Sequence, residues 1–71
     1  MRLISRDGSI SLDVERVVLV RDEKVIYAKD GTVTYVMARY EDEIKTMDVW
    51  DEMHRALEYG ESTFSLQQCL F

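Results

Sequence analysis

Residues 41–58, EDEIKTMDVWDEMHRALE, constrain the fold more than any other stretch, because only here do apolar residues keep a helical period over several turns. On a 3.6-residue period Met47, Trp50, Met53 and Leu57 share one face, widened by Val49 and Ala56, while Asp48, Asp51, Glu52, Arg55 and Glu58 fall opposite. The segment also carries its own ends. Asp42 is placed to cap the first turn, Glu41 and Glu43 suit the positive end of the helix dipole, and Gly60 supplies the C-terminal stop. One amphipathic helix is predicted, and the rest of the chain must supply the surface that it covers.

The residues ahead of the helix read as strands. Residues 2–6 and 9–13 alternate around Asp7-Gly8, a dipeptide suited to the positive φ angles of a type I′ hairpin turn. Residues 14–21 contain VVLV, the pattern of a strand covered on both faces and central in its sheet. Polar turns at residues 22–24 and at Asp30-Gly31 flank a strand at 25–29 and lead into another at 32–40. In that last strand Val33, Tyr35, Met37 and Arg39 share one face and Thr34, Val36, Ala38 and Tyr40 the other, so both faces are largely apolar. After Gly60, Phe64 and Leu66 alternate, and the chain closes on Cys69-Leu70-Phe71. The expected fold class is α+β, a single domain over residues 1–71. Its architecture is an antiparallel β-meander of four to five strands packed by one C-terminal amphipathic helix, with a short apolar C-terminal tail or strand.

A domain of 71 residues buries only about 60% of its unfolded surface, and a helix of about 27 Å covers one face of a small sheet. The single Cys69 excludes an internal disulfide, and Cys69 with His54 makes no recognisable zinc site. Self-association is therefore expected, as a homodimer or higher oligomer through the open sheet face or an edge strand. Val49, Trp50, Met53, Ala56, Phe64, Leu66, Leu70 and Phe71 are the expected core or interface residues.

The formal net charge of -5 is unevenly placed. Residues 41–58 hold seven acids and two bases, and the remainder holds seven of each, so the whole net charge sits on the helix. Direct nucleic-acid binding is not expected, since it needs a net basic footprint that displaces counterions from phosphates. No run approaches the roughly 18 apolar residues of a membrane span, and MRLISRDGSI lacks the apolar core of a secretory signal. A cytoplasmic location with no membrane partner is expected.

Two groups of residues carry candidate binding chemistry. Asp48, Asp51, Glu52 and Glu58 form an acidic stripe, which is both a routine solvated helix face and the chemistry that docks on a basic protein surface. Arg16, Arg21 and Arg39 with Tyr35 and Tyr40, and Tyr27 beside them, are residue types that clamp phosphates and stack on bases. Around a subunit interface they would form a nucleotide pocket; otherwise the tyrosines pack the sheet and the arginines pair with acids, and no glycine-rich phosphate loop accompanies them. His54 reads as a boundary residue and Cys69 as a small apolar one. With one histidine and no nucleophile motif, no catalytic residue, metal or cofactor is expected.

The opening MRLISRDGSI, followed by ERVVLV, then KVIYAKDGTVTYVMARY and an acidic helix, resembles a group of small uncharacterised bacterial and prophage proteins over residues 1 to about 59. The resemblance implies a β-meander followed by one helix and a mobile-element origin, and it transfers no functional residues. The expected function is a non-enzymatic, homo-oligomeric binding protein of prophage type, antagonising a host defence system by inhibiting a protein partner through the acidic helix face. The alternatives are a homo-oligomer that sequesters a small nucleotide immune signal between subunits, and a structural subunit of a larger complex.

Overall fold

A computed structural model of the chain describes residues 1–68. The elements run β1 (Arg2–Ile4), β2 (Ser11–Asp13), a 3-10 turn at Val14–Arg16, β3 (Val18–Asp22), β4 (Val25–Asp30), β5 (Val33–Arg39), α1 (Glu43–Glu58), β6 (Thr63–Ser65) and a second 3-10 turn at Leu66–Gln68. The fold is α+β, with a β-meander and one helix as expected. Two sheets share the work: an antiparallel meander in the order β3-β4-β5, and a small mixed sheet in the order β2-β1-β6. In the second sheet β1 runs antiparallel to β2 and parallel to β6, a parallel pairing that the crossover through α1 makes possible.

Residues 14–21 form no single central strand. The Asp13 carboxylate accepts a hydrogen bond from the Glu15 amide at 3.1 Å, which diverts the chain into the 3-10 turn and buries Val14. Only then does β3 begin, and it lies at the edge of the meander, with Val18 64% exposed. The VVLV run, residues 17–20, signalled burial that tertiary structure gives only in part, to Val17, Leu19 and Val20, while Val14 ahead of it is buried.

Nor does Asp7-Gly8 form a type I′ turn. Gly8 has φ +80°, but Asp7 is not left-handed, and β1 and β2 part at Ile4 and Ser11. The Asp7 carboxylate instead accepts from the Ser9 amide at 2.9 Å and from the Ser5 and Ser9 hydroxyls, each at 2.7 Å. A side-chain-organised loop replaces the tight backbone turn.

A bulge reassigns the faces of β5. Ile26 stands opposite Ala38 while Tyr27 stands opposite Val36, so Met37 is the extra residue. Met37 and Ala38 are consequently both buried, and the alternation beyond them is switched. Ala38 and Tyr40 turn to the core, whereas Val36, on their face by simple alternation, stays outward at 43% exposure.

The ends of α1 follow the sequence. Asp42 Oδ1 accepts from the Lys45 amide at 2.8 Å. At the other end Gly60, at φ +70°, donates to Leu57 O at 3.2 Å and Glu61 to Ala56 O at 3.0 Å, a Schellman closure. The roll of the helix differs from expectation. Its buried residues are Thr46, Val49, Met53 and Ala56; Trp50 and Leu57 are half-buried, and Met47 is exposed. Thr46 reads as polar, yet its hydroxyl donates to Asp42 O at 3.0 Å, so the side chain buries without an orphaned donor.

Leu3, Ile26, Ala28, Met37, Val49, Met53 and Leu66 belong to one core cluster that joins both sheets to α1. Phe64 on β6 packs against it, so this part of the tail docks on its own chain. Cys69, Leu70 and Phe71 lie outside the described residues.

Candidate functional site

The outward surface of α1 is built by its roll. With Thr46, Val49, Met53 and Ala56 committed to the core, Asp48, Asp51, Glu52, Arg55 and Glu58 are turned to solvent. Asp48, Asp51, Glu52 and Arg55 line a shallow concavity along the helix. This is the acidic stripe expected from the sequence.

Two exposed apolar residues adjoin it. Ile44 is 72% exposed and Met47 43% exposed. Ile44, Asp48, Asp51 and Arg55 succeed one another at spacings of four, three and four, which makes one ridge on the helix surface, and Met47 flanks it three residues after Ile44 and four before Asp51. Sequence reasoning placed Met47 in the buried arc and gave Ile44 no role. The available signal was the spacing of Ile44 to Asp48 and Asp51, which puts it on the charged side. An isolated exposed apolar residue is ordinary on a protein surface. Two adjoining ones bordered by carboxylates form a surface with both contact area and a sign of charge.

The candidate nucleotide residues are spread out. Arg16 and Tyr35 border adjoining depressions that share Ser11, Leu12, Val17 and Asp30, with Asp13 also lining the part beside Arg16. Arg21 stands opposite Ile26 and Arg39 opposite Val25, near the β3–β4 turn, whereas Tyr35 stands opposite Ala28 further along β4. Tyr40 is buried, with the Arg6 guanidinium over its ring. Within one chain the register separates this set into two regions. Tyr27 lies half-buried on the outer face of the meander, with Val20, Asp22, Lys29 and Thr34.

His54 occupies the margin of the buried arc. Its Nδ1 lies 2.9 Å from Trp50 O and its ring centroid 4.5 Å from that of Trp50. Among the described residues no group of three or more His, Cys, Asp or Glu is placed to hold a metal ion.

No family model, curated protein or solved structure matches this chain. Among the described residues, no helix is long and apolar enough to cross a membrane.

Proposed function

We propose that this chain is a non-enzymatic, cytoplasmic binding protein that docks the outer face of α1 onto a basic protein surface bearing a shallow apolar groove. The observation that carries this reading is the exposure of Ile44 and Met47 beside Asp48 and Asp51. Helices that bind in grooves use anchors spaced by three and four residues. Ile44 and Met47 supply such anchors, and burying them in a partner gains about 25 cal/mol per Å² of apolar surface. The carboxylates add steering and choice of partner more than affinity, because exposed charges are screened by salt. The resemblance to prophage proteins supports a role in blocking a component of a host defence system.

The test is affinity capture from bacterial lysate by immobilised wild-type protein and two variants, Asp48→Lys/Asp51→Lys and Ile44→Ser. Circular dichroism checks that each variant keeps its helix. A partner retained by the wild type and lost by both variants supports the reading; a partner retained equally by all three defeats it.

A further inference from the structure

We infer that the crevice between β2 and the meander binds a nucleoside monophosphate within a single chain, with the phosphate at Arg2 and Arg16, the ribose at Asp30 and the base against Tyr35. This crevice shares no lining residue with the concavity on α1, and the inference stands or falls independently of the docking proposal.

The two depressions that share Ser11, Leu12, Val17 and Asp30 make one continuous crevice, its parts holding about 320 Å³ and about 350 Å³. Small-molecule sites hold roughly 300–1,000 Å³. The two ends differ in chemistry. At one, Arg2 from β1 and Arg16 from the 3-10 turn border the same depression, and Arg2 Nη1 donates to Ser11 Oγ at 2.9 Å, which carries its guanidinium across to β2. At the other stand Tyr35 and Ile10. Half-buried Leu12 and Val17, packed against the core, lie between them. Ile10 borders only the Tyr35 end and Asp13 only the arginine end, and three residues of extended chain span about 10 Å. A nucleoside monophosphate has a length of that order from base to phosphate.

The charged groups of the crevice are not spent on one another. Arg2, Arg16, Asp13 and Asp30 border one depression, yet among the described residues no ion pair joins either arginine to either aspartate. Asp13 is engaged locally, its Oδ1 accepting from the Glu15 amide at 3.1 Å. Two guanidiniums suit the oxygens of a phosphate, to which each can donate a pair of charge-assisted hydrogen bonds. The Asp30 carboxylate opposes a bare anion but accepts from ribose hydroxyls, the part an acidic residue plays in dinucleotide-binding folds. Tyr35 supplies a ring on which a base stacks. An inorganic anion uses only the first of these groups and a free nucleoside only the other two, so the arrangement favours the combined ligand. Arg21 and Arg39, near the β3–β4 turn, take no part.

NMR titrations of isotope-labelled protein with AMP, GMP, CMP and UMP, and with inorganic phosphate and the matching nucleosides, test this. At least one monophosphate should shift the amides of Leu12, Val17 and Tyr35 saturably, and its nucleoside and inorganic phosphate should each bind about tenfold more weakly or worse. Arg16→Ala, at an exposed position, and Tyr35→Leu should each weaken binding by about tenfold, whereas Arg21→Ala should leave it unchanged. The amide spectrum of each variant checks its fold, and Arg16→Ala carries the test if Tyr35→Leu fails to fold. The proposal is overturned by the absence of saturable shifts with every monophosphate, by phosphate or nucleoside binding as tightly as the monophosphate, by shifts centred on Arg21 and Arg39, or by an Arg16→Ala variant that binds as tightly as the wild type.

Discussion

The guanidinium carbon of Arg6 lies 4.5 Å from the centroid of the Tyr40 ring, so the loop after β1 clasps the junction between β5 and α1. The same residue donates its backbone amide to Met37 O and Nη1 to Arg39 O, which ties one loop position to three residues around the bulge. A cation over an aromatic face at a partly exposed site contributes about 0.5–1 kcal/mol, and the aliphatic stem adds packing. Arg6→Ala should therefore lower unfolding free energy by about 1–2 kcal/mol in urea titrations. Arg6→Lys should recover only part of it, because an ammonium cannot reproduce the planar stacking.

The roll of α1 separates two methionines that periodicity treats alike. Met53 is fully buried, whereas Met47 is exposed. Met53→Ala should cost about 2–5 kcal/mol, a large share of the about 5 kcal/mol available to a small domain. Met47→Ala should stay within about 0.5 kcal/mol of the wild type. Thermal and chemical unfolding of the two variants checks both numbers, and equal losses would show that α1 buries the two methionines alike.

Hydrogen bonds from the Ser9 amide, the Ser9 hydroxyl and the Ser5 hydroxyl lower the Asp7 pKa from 3.8 to about 2. A carboxylate with a depressed folded-state pKa adds stability above its unfolded pKa, and this is lost as pH falls through the folded value. The loop should keep its order at pH 5 and lose it between about pH 4 and pH 2. An NMR titration following the Asp7 carboxyl and the Ser9 amide should show one transition near the lower limit. Asp7→Asn should flatten that dependence.

Gly8 combines a left-handed φ of +80° with a close neighbour, since a Cβ there would lie 2.6 Å from Gln67 Nε2. Gly31, at φ +61°, has nothing within 4 Å of such a Cβ. Both alanine variants carry the left-handed backbone cost of about 1–2 kcal/mol. Gly8→Ala must also displace the Gln67 side chain and should therefore be the less stable of the two by differential scanning calorimetry.

What the sequence determined by itself is local. The cap at Asp42, the closure at Gly60 and the hairpin through Gly31 each depend on residues within a few positions of one another, so composition and spacing reveal them. The same holds for the acidic row Asp48, Asp51, Glu52 and Glu58, because charge on the outer side of a helix follows from its period. Tertiary structure decided the rest, where surfaces of similar hydropathy compete for one core. A helical period relates Met47 to Met53 but does not say how far the helix is rolled toward the sheets, so the exposure of Ile44 and Met47 beside the carboxylates was not legible. Whether β3 is central or marginal, and whether Ala38 faces inward, depends on strand order and on one extra residue at Met37. Those are choices of long-range pairing, and a one-residue shift in a strand moves every later side chain to the opposite face.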